Sequence, residues 1–324
     1  MNEPFPNVSC FAHEAMTTIF EIFISDPDGE YAGQAARAAF REIDRLEGLF
    51  NRFDPGSEIS RINRLPGGGE IPVGIETFAC LSLAESVRRE TGGAFDINAR
   101  AAIPGSSAGS PDSLPSPGSA ERATAGRENS GFTPVSEPGG FFIRRPEVFD
   151  PREEIRLDLD LGGVGKGYAV DRAMDVLVEW GVSGALIHGG TSTALARGSA
   201  DPAEALGSDR KTGWPVGAGA GWAGAPPRVI LTDRALSGSG TEVKGGHILD
   251  PRTGRAARGN LAAWASTPSA ALSDALSTAF FVMSPDDVEA FSVHHPDTWA
   301  CLVVSYRDVR TYNPGLLPGS FGVL

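Results

Sequence analysis

A lysine at the end of a glycine-rich turn is the first feature of this sequence that could do chemistry. Residues 160–167 read DLGGVGKG, with the lysine at position 166. Over residues 155–161, apolar residues alternate with polar ones, which predicts a β-strand that carries Asp158 and Asp160 on one face. An amphipathic helix is predicted after the turn. A strand, a glycine turn and a helix in this order direct backbone N–H groups towards an anion, so the segment could bind a phosphate.

The turn matches neither of the two common phosphate-binding motifs. A P-loop would require glycine in place of Asp160 and serine or threonine in place of Gly167. The G-x-G-x-x-G dinucleotide pattern is not met here either. A tight connection between strand and helix, without any ligand, therefore stays open as the alternative interpretation of these residues alone.

Asp274 and Thr278 form a second pair with chemical potential. The run STPSAALSDALSTAFFVM, residues 266–283, predicts a helix with Thr267 as its N-cap and Pro268 in its first turn. Positions 274 and 278 are four apart, so the carboxylate and the hydroxyl lie on one face of the helix. Oxygen ligands of this kind suit Mg²⁺, which keeps several waters and binds substrate phosphates. The alternative is that Asp274 is a solvated helix residue without a ligand.

These residues must be positioned by strands and helices, which the rest of the sequence predicts in alternation. Strands are predicted at residues 16–25, 184–190 and 228–233, and helices at 36–50 and 75–90. The helix after the glycine turn has an apolar stripe formed by Val170, Ala173, Met174, Leu177 and Val178.

Two segments are poor in large apolar side chains. Residues 104–140 and 199–227 consist mostly of Pro, Gly, Ser and Ala, which bury too little apolar surface to offset the entropy of ordering. We interpret 104–140 as a disordered insertion and 199–227 as a smaller stretch of the same kind. Residues 1–324 are therefore predicted to form one α/β (α+β) domain with two decorations.

Composition excludes several classes of protein. The 324 residues include 28 basic and 41 acidic side chains, a net charge of −13, so nucleic acid is not an expected partner. Three cysteines without C-x-x-C spacing are expected to be buried or bystander thiols. The N-terminus shows no secretory or lipoprotein signal, and no run approaches 18 apolar residues. We therefore expect a cytoplasmic protein without a membrane segment.

Eight segments occur in order along the chain: HEAMTT, FNRFDPGSEISRINR, TGGAFDIN, LDLGGVGKGYAVD, GALIHGGTSTALARG, LSGSG, GHILDPRTGR and SDALSTAFFVM. Together they resemble the ApbE family of Mg²⁺-dependent FAD:protein FMN transferases. The resemblance covers nearly the whole chain outside 104–140 and 199–227. It implies a single α/β (α+β) domain in which mixed sheets pack against helices and FAD binds in a central cleft.

The resemblance also implies roles for the residues of the turn and of the later helix. The backbone carbonyl of Gly163 and the side chains of Asp274 and Thr278 would bind Mg²⁺. Asp160 and Lys166 would contact FAD. A glycine turn beside a magnesium site would then hold the pyrophosphate of the dinucleotide.

A flavin pocket and two catalytic groups follow from the same resemblance. The other residues implied to contact FAD are Met16, Phe53, Ala94, Phe95, Asp96 and Leu249, with Asn63 as a secondary candidate. His247 and Lys166 would be catalytic, by moving the proton of the attacking hydroxyl or by orienting the transferred phosphoryl group. His188 is expected to be structural. Without the resemblance, Met16 and Phe53 could equally be core residues, and His247 an exposed turn residue.

The implied activity is transfer of FMN from FAD to a Thr or Ser hydroxyl of an acceptor protein, with release of AMP. FAD and the acceptor protein are then the expected partners. One alternative is an FAD pyrophosphatase that releases FMN and AMP. Another is a non-catalytic FAD-binding protein, because Thr17 stands where the family usually has glycine and Phe53 where tyrosine is commoner.

Overall fold

An eight-stranded antiparallel sheet forms the centre of the fold. The computed structural model describes residues 7–26, 28–102, 130–147, 155–200, 213–217, 228–240 and 248–317. In spatial order the strands of the sheet are β1 (Val8–Ala15), β2 (Thr18–Ser25), β6 (Ala185–Gly189), β7 (Thr193–Arg197), β10 (Arg234–Gly240), β13 (Ala262–Ser266), β14 (Trp299–Ser305) and β15 (Asp308–Tyr312). Every neighbouring pair is antiparallel.

The middle strands of this sheet are buried on both faces. Alternate residues point to opposite faces, so Ile187 and Leu302 join the core beneath the helices. Their neighbours Leu186 and Cys301 join a second apolar cluster on the other face. This double burial explains why these strands read as apolar runs rather than as alternating patterns. No cysteine of the chain is in a disulfide, and Cys10 is exposed whereas the other two are buried.

Helices cover one face of the sheet. In the described part of the chain they are α1 (Gly29–Phe50), α2 (Glu58–Asn63), α3 (Ile75–Glu90), α4 (Gly165–Glu179), α5 (Ala270–Val282) and α6 (Pro285–His294). Helix α5 packs on β10 and β13, α4 packs on α5, and α1 packs on α4. None of these helices has both the length and the apolar character needed to cross a bilayer.

Two ends of helices differ from the prediction. Helix α1 begins before residue 36 because Asp28 caps it, accepting from the amides of Glu30 and Tyr31. Helix α5 is capped by Ser269 instead of Thr267, whose hydroxyl accepts from the Ser269 amide at 3.2 Å. In α4 the apolar stripe is buried except for Val178, which is 38% exposed at the edge of the helix face.

The described residues also form three small sheets, two of which correct the predicted extent of the two decorations. They contain β3 (Glu70–Val73), β5 (Gly140–Arg144) and β4 (Thr133–Glu137); β8 (Trp214–Gly217) and β9 (Arg228–Leu231); and β11 (Leu249–Asp250) and β12 (Arg255–Ala256). Residues 130–140 are thus folded, because Phe132 is buried and β4 pairs with β5. Within 199–227, strand β8 buries Trp214 against the second cluster. Residues 103–129, 201–212 and 218–227 lie outside the described part.

The predicted strand at 155–161 is wrong: these residues belong to none of the sheets in the part of the chain that the structure describes. Two asparagine side chains take the place of a neighbouring strand. Asn98 accepts from the Asp158 amide at 2.8 Å and donates to the Arg156 carbonyl at 3.1 Å. Asn63 accepts from the Leu159 amide at 2.7 Å and donates to its carbonyl at 3.3 Å. A side-chain amide offers the same donor and acceptor pair as a peptide group, so it satisfies the backbone of a single strand.

Candidate active site

The glycine turn, residues 160–167, packs between the hydrophobic core and helix α5. A Cβ atom on Gly163 would lie 3.2 Å from the Phe95 ring and 3.2 Å from the Thr278 hydroxyl oxygen. Contacts this close require the neighbours to move, so the position favours glycine. The turn closes through the amides of Val164 and Gly165, which both donate to the Leu161 carbonyl. Gly163, Thr278 and Phe95 are thereby brought together.

Asp274 lies beneath the turn as a buried carboxylate. It is 3% exposed, which rules out the alternative that it is a solvated helix residue. Its Oδ2 accepts from the Gly167 amide at 3.2 Å and lies 3.5 Å from the Lys166 Nζ. The same ammonium donates to the Gly162 carbonyl at 2.7 Å. Lys166 therefore joins the turn to α5 and compensates a charge that burial alone would penalise.

The fit of these residues to Mg²⁺ depends on the donor atoms that they offer. The carboxylate of Asp274, the hydroxyl of Thr278 and the backbone of Gly163 supply only hard oxygen donors, the type that Mg²⁺ prefers. In the ranges that the structure describes, no three His, Cys, Asp or Glu side chains come together as a metal-binding group. A set with one carboxylate leaves coordination positions for waters and substrate phosphate, so these residues fit Mg²⁺ bound together with a nucleotide.

A hydroxyl group that the sequence analysis missed adjoins this set. The Ser239 Oγ lies 3.3 Å from the Thr278 Oγ1 and 3.0 Å from the Ser277 Oγ. The Thr278 hydroxyl is also 3.4 Å from the Asp274 carbonyl oxygen. A hydroxyl that offers a lone pair to a cation must direct its proton elsewhere. The Ser239 Oγ and the Asp274 carbonyl oxygen are the acceptors beside the Thr278 hydroxyl. The motif LSGSG contained Ser239, but no spacing related it to α5.

Arg52 is a second residue that the sequence analysis did not identify. Its largely buried guanidinium donates to the Asp160 Oδ2 at 3.0 Å and also pairs with Asp158. The Asp160 Oδ1 accepts from the Gly162 amide at 2.9 Å. Asp158 and Asp160 do share one side of the segment, as the alternation predicts. Phe53 is 68% exposed, and the Arg52 guanidinium lies over one face of its ring, 5.3 Å from the centroid, so the rest of the ring is exposed at the surface.

Met16 lies in the two-residue turn between β1 and β2. Met16 and Thr17 have φ of +49° and +59°, the left-handed pair of a type I′ hairpin. Met16 is half-buried against the core. An open pocket of about 420 Å³ is lined by this turn and by Glu47 of α1. The predicted contact with FAD would place the ligand at this turn.

The other residues predicted for the flavin pocket occupy different environments. Ala94 and Phe95 are buried after the left-handed glycines Gly92 and Gly93. The carboxylate of Asp96 accepts from the backbone amide of Asn98 at 2.7 Å. Leu249 is half-buried in β11, a strand that belongs to a separate two-stranded sheet.

The two predicted histidine roles have different outcomes. His247 lies outside the described residues, so its catalytic role stays a prediction. His188 lies on β6 and contacts the Phe23 ring edge-to-face at 5.9 Å. Burial lowers the pKa of His188, against a smaller opposing effect of Glu21. His188 is thus a half-buried histidine whose contacts lie within the sheet, and its structural role stays a prediction.

Comparisons with known proteins identify the family and the fold of the chain. Residues 16–303 match the ApbE family. An apo flavinyl transferase ApbE from Pseudomonas stutzeri has a TM-score of 0.74 and 21% identity, with 96% of this chain and 97% of that chain covered. The flavin transferase ApbE from Vibrio cholerae has a TM-score of 0.74 and 19% identity, over 94% and 96%.

An ApbE protein from Thermotoga maritima is equally similar, with a TM-score of 0.75, 22% identity, and 95% of this chain and 98% of that chain covered. No curated protein sequence matches the chain. At these sequence identities the solved structures establish only the fold. The match over residues 16–303 establishes the family. The chain belongs to the ApbE family.

Proposed function

We propose that this protein transfers FMN from FAD to a Thr or Ser hydroxyl of an acceptor protein, releases AMP, and binds Mg²⁺ through Gly163, Asp274 and Thr278. Membership of the ApbE family makes it an enzyme of the flavin-transferase class. The observation that carries the proposal is the convergence of the glycine turn, the Lys166 ammonium and the buried Asp274 at one point.

The reaction is a displacement at phosphorus. The acceptor hydroxyl oxygen forms a bond to the FMN phosphorus, the pyrophosphate P–O bond breaks, and AMP leaves with the bond's electron pair. Mg²⁺, when bound, would neutralise charge on the pyrophosphate oxygens. The Lys166 ammonium lies beside the same turn and adds a fixed positive charge there. His247 is proposed to accept or orient the proton of the attacking hydroxyl.

The FAD molecule is proposed to bind in a cleft that reaches from the glycine turn to the β1–β2 hairpin. Asp160 and Lys166 would contact it near the turn, and Met16 and Phe53 farther away. Two observations support this course: the Phe53 ring is exposed, and the pocket at Met16 is open. Ala94, Phe95, Asp96 and Leu249 are proposed to complete the pocket.

One assay separates the three possible activities. Purified protein is incubated with FAD, Mg²⁺ and an acceptor peptide that carries one threonine, beside a matched peptide with alanine instead. We expect AMP and flavinylated peptide in equal amounts, and only with the threonine peptide. AMP and free FMN with both peptides would instead identify an FAD pyrophosphatase. Retention of intact FAD without AMP would identify a non-catalytic flavin-binding protein.

A further inference from the structure

Helices α4 and α5 cap each other: an aspartate of each helix accepts hydrogen bonds from amides at the N-terminus of the other. Asp274 of α5 accepts from the amide of Gly167, in the first turn of α4, at 3.2 Å. Asp171 of α4 accepts from the amides of Ala270 and Ala271, the first residues of α5, at 2.6 and 2.9 Å. Each helix therefore satisfies amides that the other helix leaves without an intrahelical acceptor.

Neither helix has a complete cap of its own. The N-cap of α4 is Val164, which has no side-chain oxygen to accept from the first turn. Asp274 supplies that oxygen from the other helix. The N-cap of α5 is Ser269, which accepts from the Leu272 amide and also donates its hydroxyl to Asp171 at 2.7 Å. The two first amides of α5 depend on Asp171.

The backbones of the two helices are in direct contact at this point. A Cβ atom on Gly167 would overlap the carbonyl oxygen of Ala270 and lie 2.8 Å from the Cα of Ala271. The helices therefore have no room for a side chain between them, and a small change in their separation would move Asp274 relative to the turn. Asp171 is the side chain that ties this end of α5 to α4.

We propose that Asp171 is a positioning residue for the metal site: it holds the start of α5 against α4 and thereby sets Asp274 and Thr278 against Gly163. It acts through α5, because both of its carboxylate oxygens are engaged by donors of that helix. The inference rests on the proposed function only in taking Asp274 and Thr278 as magnesium ligands.

The isosteric change Asp171→Asn tests the proposal. The Oδ1 accepts from one amide, and the Oδ2 accepts from another amide and a hydroxyl. Either orientation of the asparagine amide therefore turns an NH₂ group towards a donor. The matched control is Asp175→Asn, which removes the same charge from an exposed position one turn later in α4.

The first measurement is hydrogen exchange of backbone amides in the protein without metal. We expect faster exchange in Asp171→Asn at Ala270 and Ala271, and also at Gly167, whose amide donates to Asp274 and not to the Asp171 carboxylate. Faster exchange at 270–271 with an unchanged rate at Gly167 would show a purely local cap and overturn the proposal. If Asp171→Asn does not fold, Ser269→Ala removes one donor to Asp171 and should shift Gly167 exchange less, in the same direction.

The second measurement is calorimetric binding of Mg²⁺ in the presence of FAD. We expect Asp171→Asn to weaken Mg²⁺ binding at least ~10-fold, the effect of losing a group that orients a metal ligand. The control Asp175→Asn should bind like the parent. Parent-like binding by Asp171→Asn would contradict the proposal. A parent protein that binds no Mg²⁺ would refute the proposed metal site instead, while the exchange at Gly167 would still test the link between the helices.

Discussion

A buried carboxylate is stable when its charge is compensated, and Asp274 is compensated by the Lys166 ammonium and the Gly167 amide. These neighbours offset the charge of a carboxylate that is buried beside the glycine turn. The residue that we propose as a magnesium ligand is thus also part of the packing between two helices.

Thr17 is a single residue in an unfavourable backbone conformation. Its φ of +59° is left-handed, which costs a β-branched residue about 1–2 kcal/mol. We predict that Thr17→Gly raises the free energy of unfolding by up to ~1 kcal/mol, since glycine removes the strain but gains entropy when unfolded.

The matched control for Thr17→Gly is Thr18→Gly, one residue later, where β2 begins and pairs regularly with β1. That change should lower stability, because glycine weakens a strand. Thermal or denaturant unfolding measures both variants. The same sign of change in both would contradict strain at Thr17.

The sequence predicts that the glycine turn lies beside Asp274 and Thr278, but it does not predict the neighbours of these residues. The spacing of four between Asp274 and Thr278, and the family resemblance of the glycine turn, indicate which residues converge. Arg52 could not be found in this way, because its partners Asp158 and Asp160 are 106 and 108 residues away along the chain. Contacts over such separations depend on the packing of the whole core.

At the scale of elements, the segment 155–161 shows what alternation can and cannot predict. Alternation correctly predicts that Leu157, Leu159 and Leu161 are buried. It does not predict the hydrogen-bond partners, which here are the side chains of Asn98 and Asn63 instead of a strand. A period of two indicates extended backbone, and a sheet requires a second strand as well.

The Asn98 side chain is predicted to be necessary for this segment. It is fully buried, accepts from the Asp158 amide, and donates to the carbonyls of Ser130 and Arg156. Asn98→Ala would leave these buried groups without a partner and should lower the free energy of unfolding by about 2–4 kcal/mol.

Asn63→Ala is the comparison for Asn98→Ala, because Asn63 makes two bonds of the same kind in a less buried place. Asn63→Ala should lower the free energy of unfolding by less than Asn98→Ala does. Denaturant unfolding of both variants gives the two values. A loss below ~1 kcal/mol for Asn98→Ala would show that water replaces these bonds.

At the scale of the molecule, the eight-stranded sheet is packed on both faces by other elements. Helices α4 and α5 lie on one face, and the hairpin of β8 and β9 covers part of the other. The sequence predicts the helices and the fold class. It places the end of the first insertion at residue 140, although Phe132 is already part of the core. Composition is averaged over a long stretch of sequence, so it does not reveal a short strand within that stretch.

Residues 103–129 are predicted to be dispensable for folding. They contain almost no large apolar side chains, so they contribute little to a core. Replacing them by a Gly/Ser linker that ends before Ser130 should change the melting temperature by only a few degrees, about the effect of ~1 kcal/mol.

A longer replacement, from 103 to 140, serves as the control for that deletion. It removes β4 and the buried Phe132, and it should lower the melting temperature much more. Differential scanning calorimetry compares the two proteins. A large fall with the shorter replacement would show that residues 103–129 stabilise the fold.

The most direct test of the proposed site is the Mg²⁺ dependence of FMN transfer by Asp274→Asn. Asparagine keeps the shape of the side chain and removes the charge that would bind the cation. Because Asp274 is buried beside Lys166, the change should also cost about 1–3 kcal/mol of stability, so unfolding is measured alongside.

Transfer is titrated with Mg²⁺ for Asp274→Asn, Thr278→Val and the control Asp175→Asn, at a temperature where each is folded. We predict that Asp274→Asn needs at least ~10-fold more Mg²⁺ and turns over far more slowly, that Thr278→Val shows a smaller shift, and that the control follows the parent. A folded Asp274→Asn whose Mg²⁺ titration coincides with that of the parent would contradict the assignment of the site.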